Sequence, residues 1–129
     1  MKEIAIAIVH WGELYLVGRR PDHATQAGKC EFPGGKVEPG EDPARAAQRE
    51  CLEETGLEIV VSQVHSVQVE HYGSGALRLH FYTAEVPAHG KQPPPVPPPW
   101  RWVPRQELNE SDFPSGNRFV IRELRGHQR

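Results

Sequence analysis

Residues 35–57 read GKVEPGEDPARAAQRECLEETGL, and most of this stretch carries the local signals of a helix. Asp42 belongs to the residue types that cap helices, and Pro43 suits the first helical position. Alanine and leucine, which favour helix, follow as far as Gly56, a residue typical of helix C-termini. The stretch therefore predicts a glycine-containing loop followed by a helix that runs from Asp42 to Gly56.

Three glutamates, Glu50, Glu53 and Glu54, fall on one side of this predicted helix. At 100° per residue they lie within an arc of roughly 100° and about 6 Å of helix axis. Like charges at this spacing repel, and the helix dipole disfavours negative charge near the C-terminal end. A hard cation such as Mg²⁺ or Mn²⁺ would offset both effects, because it prefers oxygen ligands. The alternative is an exposed acidic face paired with Arg45 and Arg49, but the preceding glycine loop suits a phosphate–metal complex.

The rest of the chain alternates between short apolar segments and turn residues, which predicts a sheet around this helix. Leu77, Leu79 and Phe81 alternate with polar residues, as in a half-buried strand. The proline-rich segment 93–99 is predicted to be a stiff surface loop, although it could also bind a proline-recognising domain. The predicted strands are 2–10, 14–17, 57–64, 67–71, 77–86 and 102–103. A last helix is predicted over about 116–125, with Phe119, Val120 and Leu124 facing inward.

The composition indicates a single globular domain over residues 1–129, because 37% of the residues are hydrophobic and 25% are charged. The net charge of −2 argues against a partner that is a nucleic-acid polymer, since such binders usually carry a basic excess. The apolar run Ile4–Val9 is too short to cross a membrane and has no signal-peptide pattern, so we expect a cytoplasmic protein. Cys30 and Cys51 lack the spacing of a zinc site or disulfide framework, and we expect both to be reduced thiols. The protein is expected to be a monomer or a homodimer.

The stretch 35–57 resembles the Nudix box. That motif is a glycine, five residues, Glu, seven residues, then Arg-Glu-U-x-Glu-Glu-x-Gly-U, where U is a bulky apolar residue. The resemblance implies an α/β protein, the Nudix α/β/α sandwich, in which a mixed β-sheet lies between helices and the box forms loop–helix–loop. It also implies Mg²⁺- or Mn²⁺-dependent hydrolysis of a nucleoside triphosphate to a monophosphate and pyrophosphate. The residues that match the fixed positions are Gly35, Glu41, Arg49, Glu50, Glu53, Glu54 and Gly56.

The same resemblance assigns roles within the box. Glu50 and Glu53 are the expected catalytic residues, with Glu50 as a candidate general base for the attacking water. Arg49 is expected to orient the glutamates through ion pairs, and Glu41 to do structural work at the helix start. The expected metal ligands are the Gly34 carbonyl, Glu50, Glu53 and Glu54.

Segments 31–36 and 112–117 resemble the MutT-like members of the family, which remove 8-oxo-dGTP. In those enzymes an Asn pairs with the oxidised purine, and Asn117 matches it. Its amide offers a donor and an acceptor, which suits a purine edge that has gained an N–H at position 7. Phe32 would line the base pocket and Arg20 would approach the phosphates; without the family, Asn117 indicates a helix cap and Arg20 an exposed charge. The predicted substrate-binding residues are Arg20, Glu31, Phe32, Pro33, Gly34, Lys36 and Asn117.

Two positions depart from the MutT-like pattern. Thr25 stands where those enzymes have a histidine, with His23 nearby but displaced. Those enzymes also carry a fourth glutamate before the Trp102 strand, whereas no Asp or Glu occurs here between Glu85 and Glu107. Two alternatives therefore stay open: a CTP, dCTP or dinucleoside polyphosphate hydrolase of the same family, and a catalytically weak nucleotide-sensing module.

Overall fold

The computed structural model describes residues 1–24, 26–87 and 90–126, which form one mixed sheet and two α-helices. Three short 3₁₀ helices, Arg105–Glu107, Glu110–Asp112 and Ser115–Asn117, lead into the last helix. The strands are β1 (Lys2–Trp11), β2 (Leu14–Arg19), β3 (Cys30–Glu31), β4 (Gly34–Lys36), β5 (Val60–Tyr72), β6 (Gly75–Glu85) and β7 (Arg101–Pro104), and the helices are α1 (Pro43–Thr55) and α2 (Arg118–Gly126).

The sheet has the order β3-β2-β1-β6-β5, with β4 paired to β1 and β7 paired to β2. Strand β1 runs parallel to β6 and antiparallel to β2 and β4, so the sheet is mixed. Ile4 pairs with Lys36 on one side and with Leu79 on the other. This central position lets β1 contribute to both faces of the molecule.

The two faces of β1 carry different side chains because successive strand residues point in opposite directions. Ala5, Ala7 and Val9 lie in one buried cluster with residues of α1, whose small Ala46 and Ala47 allow close packing. Ile8 belongs to a second buried cluster with Val120 and Ile121 of α2, and Ile4 and Ile6 pack against it. The sheet therefore lies between helices, and the predicted α/β/α sandwich is confirmed.

The segment 57–71 differs from its prediction. The two strands expected at 57–64 and 67–71 are one strand, Val60–Tyr72, which pairs with β6 along its length. Register shifts between Val61 and Gln63 and between Val64 and Ser66 absorb the breaks in the alternating pattern. Leu57 and Ile59 are buried before the strand begins, so their hydrophobicity reflects core packing and not strand pairing.

The C-terminal part of the chain also differs in detail. Helix α2 begins at Arg118, after the 3₁₀ turn Ser115–Asn117, and not at residue 116. Val120 is buried as expected, and Ile121 is equally buried, whereas Phe119 and Leu124 pack at the margin of the core. The indole of Trp102 donates a hydrogen bond to the Pro94 carbonyl at 2.8 Å, which ties the proline-rich loop to the sheet. In the described ranges no helix is long and apolar enough to span a membrane.

Candidate active site

Helix α1 is fixed at both ends by the residues that the sequence singles out. The Asp42 carboxylate accepts a hydrogen bond from the Ala44 amide at 3.3 Å, and Pro43 occupies the first turn. At the other end Gly56 adopts a left-handed conformation, with φ of 81°, and its amide donates to the Leu52 carbonyl. The predicted helix is confirmed, and its last turns carry the glutamates of the box.

The two glycines before the helix are required by close contacts. Gly34 pairs with Ile6 in strand β4, and a Cβ there would overlap the backbone carbonyl of Ala5. A Cβ on Gly35 would overlap the carboxylate of Glu50. The glycines therefore allow the strand to lie against both β1 and the acidic part of α1.

Arg49 is the centre of an ion-pair network within the box. Its guanidinium makes a two-pronged contact with Glu41, at 2.8 Å and 3.0 Å, and donates to the Lys36 carbonyl at 3.0 Å. One nitrogen, Nη1, also reaches Glu50 at 3.1 Å and Glu53 at 3.3 Å. The hydrogen bonds from Arg49 and from the Glu38 amide hold the pKa of Glu41 at about 2. Arg49 thus makes the ion pairs with the box glutamates that the sequence predicts, and the role of Arg49 and Glu41 in positioning them stays a prediction.

Glu54 lies on the other side of the cluster, against strand β4. Its carboxylate accepts a hydrogen bond from the Gly34 amide at 3.2 Å. Loss of hydration raises the pKa of this carboxyl to about 7, and repulsion from Glu50, Glu31 and Glu53 adds to the rise. Glu54 as a whole is exposed. Its carboxyl group, however, is poorly hydrated and lies near three other acidic groups.

The carboxylates of Glu50, Glu53 and Glu54 are of the chemical type that binds hard divalent cations. The cluster offers carboxylate oxygens together with unneutralised negative charge around Glu54, which are the properties that Mg²⁺ and Mn²⁺ sites share. Glu50 and Glu53 are turned toward Arg49, and no three His, Cys, Asp or Glu side chains of the described residues converge as metal ligands. Metal binding in this cluster would therefore require these two side chains to exchange Arg49 for the cation.

The raised pKa of Glu54 predicts a pH-dependent stability of the metal-free protein. The folded carboxyl, with a pKa of about 7, holds its proton more tightly than the unfolded one at 4.5. Its contribution to stability is therefore fully present below pH 4.5 and is lost as the pH rises through about 7. We expect Glu54→Gln to melt at an increasingly higher temperature than the wild type as the pH rises from 4.5 to 8 in EDTA. A melting-temperature difference that does not change with pH would contradict this environment for Glu54.

A cavity of about 340 Å³ opens at Gly34 and Gly35, on the opposite face of the sheet from the α1 core. Apolar side chains of β1 and β6 form part of its lining, together with Phe32, whose ring packs against that of Phe113 with 5.2 Å between centroids and a tilt of 31°. Its polar groups come from the loop after β2, from β3, β4 and β5, and from the 3₁₀ turn before α2. The lining residues are Ile4, Ile6, Arg20, Gln26, Glu31, Phe32, Gly34, Gly35, Lys36, Glu70, Leu77, Leu79, Pro114 and Asn117.

The cavity brings together every predicted substrate-binding residue except Pro33. That residue is buried, and its carbonyl accepts a hydrogen bond from the Ala7 amide at 2.9 Å, so it supports the strand pairing. Thr25, which stands in place of the family's histidine, lies outside the described residues. Sequence reasoning missed the apolar lining by Ile4, Ile6, Leu77 and Leu79 and the polar lining by Gln26 and Glu70. The alternation of β1 and β6 was a usable signal for the former.

Glu31 supplies a further carboxylate close to the cluster. It lies at 3.3 Å from Arg20 in an ion pair, and loss of hydration raises its pKa although Arg20 opposes the rise. Its charge also acts on Glu54. The proline-rich segment has no acidic residue, but Glu31 still provides the box glutamates with a neighbouring carboxylate from outside the box.

Comparison with known proteins identifies the family. Residues 1–124 match the NUDIX domain. An 8-oxo-dGTP diphosphatase of Escherichia coli (strain K12) is 32% identical over 125 residues, covering 95% of each chain. A CTP pyrophosphohydrolase of the same organism is 36% identical over 82 residues, or 64% of this chain and 61% of that protein. The solution structure of the E. coli ORF135 protein superposes with a TM-score of 0.76 at 28% identity, covering 99% of this chain and 93% of that one.

The chain therefore belongs to the Nudix hydrolase family. The members of this family are pyrophosphohydrolases that act on nucleoside diphosphate-linked substrates, and they generally depend on a divalent metal.

Proposed function

We propose that this protein hydrolyses a nucleoside triphosphate to a nucleoside monophosphate and pyrophosphate with Mg²⁺, or Mn²⁺, as cofactor. The observation that supports the proposal is that the cavity and the box glutamates meet at Gly34 and Gly35. These residues line the cavity, and they also contact Glu54 and Glu50 of the box. A nucleotide whose base enters the cavity would thus have its phosphates beside the carboxylates.

The carboxylates and one backbone group divide the chemical roles. Glu50, Glu53, Glu54 and the Gly34 carbonyl would hold the metal, which neutralises phosphate oxygens and makes water more acidic when it is bound. Glu50 accepts the proton of the attacking water, and Glu53 acts with it as the second catalytic carboxylate. Before the metal binds, Arg49 holds the carboxylates of Glu50 and Glu53 close together, since one guanidinium nitrogen contacts each of them. Arg20 and Lys36 supply positive charge at the cavity for the triphosphate.

We further propose that the preferred substrate carries an oxidised purine, as in 8-oxo-dGTP. The apolar floor of the cavity and the ring of Phe32 suit a flat base, and the Asn117 amide can donate and accept at one edge of it. The relative that is 32% identical along nearly the whole chain is named for this activity. Removal of oxidised nucleotides from the pool would then protect DNA.

Replacing Asn117 with alanine tests this substrate assignment. We expect kcat/KM for 8-oxo-dGTP to fall by about 10- to 100-fold, as for the loss of a two-pronged base contact, while CTP and dCTP change little. Pyrophosphate release should be measured for 8-oxo-dGTP, dGTP, CTP, dCTP and a dinucleoside polyphosphate. Asn109→Ala, which alters the cap of a surface 3₁₀ turn, is the matched control and should leave the order of preference unchanged. An equal loss for all nucleotides would mean that Asn117 only supports the fold.

The second candidate function is hydrolysis of CTP or dCTP. It is favoured by the 36% identity over 82 residues to a CTP pyrophosphohydrolase. The same set of nucleotides distinguishes the two candidate functions. A higher kcat/KM for CTP or dCTP than for 8-oxo-dGTP would identify the cytosine nucleotide as the preferred substrate. Nucleotide binding without turnover of any compound would indicate a sensing module.

A further inference from the structure

Two acidic side chains that line the cavity lie outside the box, Glu31 beside Arg20 and Glu70 on β5. Glu70 of β5 lies next to Asn117, because its carboxylate packs against Gly116 so closely that a Cβ there would overlap it. The Ser115 hydroxyl donates to it at 3.5 Å, which is a long hydrogen bond. A carboxylate has about four acceptor positions, so Glu70 keeps capacity for a ligand in the cavity.

The sheet separates Glu70 from the carboxylates of the box. Strands β4, β1, β6 and β5 lie side by side in that order, and three strand spacings amount to roughly 14 Å. The charges that act on Glu54 come from Glu50, Glu31 and Glu53. Glu70 is therefore too far from the phosphate end of the cavity to share a metal ion with Glu54, whose ligands lie at about 2 Å from Mg²⁺.

The chemistry of a carboxylate restricts what Glu70 can recognise. An ionised carboxylate only accepts hydrogen bonds, and its two oxygens suit two neighbouring N–H donors. Guanine presents two such donors on its Watson–Crick edge, the ring N1–H and the 2-amino group. Asn117, which can both donate and accept, is left for the edge that carries O6 and position 7.

We propose that Glu70 is a specificity-determining residue that accepts hydrogen bonds from N1–H and the 2-amino group of a guanine-type base. This inference rests on the proposed function, since it requires the base of the nucleotide to occupy the cavity. It narrows the substrate class to guanine nucleotides, oxidised or not, over those with a pyrimidine or with hypoxanthine.

Hypoxanthine tests the inference because it differs from guanine only in lacking the 2-amino group. We expect the wild type to hydrolyse dGTP with a kcat/KM about tenfold or more above that for dITP, and to bind dGMP correspondingly tighter than dIMP. In Glu70→Gln one acceptor becomes a donor that opposes the base N–H groups, so both ratios should fall toward one. Glu85→Gln, at the far end of β6 and outside the cavity lining, is the control and should keep both ratios.

The outcomes distinguish this inference from the function on which it rests. Two outcomes would overturn the role of Glu70 and leave the proposed function standing, provided that 8-oxo-dGTP is hydrolysed. One is equal kcat/KM of the wild type for dGTP and dITP, and the other is unchanged guanine-to-hypoxanthine ratios in Glu70→Gln. A wild type that neither binds nor hydrolyses any guanine nucleotide would overturn both. Calorimetry with dGMP and dIMP gives the binding ratio independently of turnover, and circular dichroism confirms that the variants are folded.

Discussion

Glu54→Gln should lower kcat by about a thousandfold or more while the protein stays folded. The amide keeps the shape of the side chain, and its oxygen can still accept the Gly34 N–H, but it removes a charged ligand from the cluster. Stabilisation by a metal ion amounts to several kcal/mol in the transition state, and about 1.4 kcal/mol corresponds to a factor of ten in rate. Steady-state pyrophosphate release from 8-oxo-dGTP at saturating Mg²⁺ measures the effect, and Glu53→Gln should behave in the same way.

Glu58→Gln is the matched control for this variant. Glu58 is an exposed glutamate just beyond the end of α1, and it does not line the cavity. We expect its kcat to stay within about twofold of the wild type, since surface substitutions rarely affect distant sites. Full turnover in both Glu54→Gln and Glu53→Gln would show that the metal is held elsewhere, and an equal loss in Glu58→Gln would indicate a general effect of lost negative charge.

The box helix was predictable because its signals are local. A capping aspartate, a proline in the first turn and a C-terminal glycine act within a few residues, and all three do so in the structure. The segment after it was not predictable to the same extent. The bulges of β5 break the two-residue alternation, and they depend on pairing with β6 and on contacts such as that of His65 with Glu123 of α2, which a single sequence does not reveal.

The residues of the site also divide into those that local sequence patterns predict and those that depend on tertiary contacts. The box glutamates and the substrate residues were predicted from the resemblance to the family, and the structure brings most of the latter around one cavity. Glu70 has no motif of its own and enters the cavity only because β5 lies beside β6 and because Gly116 leaves room for its carboxylate. Likewise, the proximity of Glu31 to Glu54 depends on how β3 and β4 meet α1. Such contacts between distant segments arise from tertiary packing, which periodicity cannot reveal.

Removal of the divalent metal should have an effect as large as that of Glu54→Gln. Without a cation, the carboxylates would repel the triphosphate, and Glu54 already carries a pKa of about 7 because of low hydration and neighbouring acidic groups. We expect hydrolysis to fall below detection in EDTA and to return when Mg²⁺ or Mn²⁺ is added in excess. Ca²⁺, which takes more ligands at longer distances, should restore less activity.

Product analysis with and without Mg²⁺ tests whether the protein splits a nucleoside triphosphate into a monophosphate and pyrophosphate in a metal-dependent reaction. The protein should be incubated with 8-oxo-dGTP, and the products separated by anion-exchange chromatography, with dGTP and CTP in parallel. We expect equal amounts of the nucleoside monophosphate and pyrophosphate, formed only when the metal is present. Release of orthophosphate and a diphosphate, or undiminished turnover in EDTA, would contradict it.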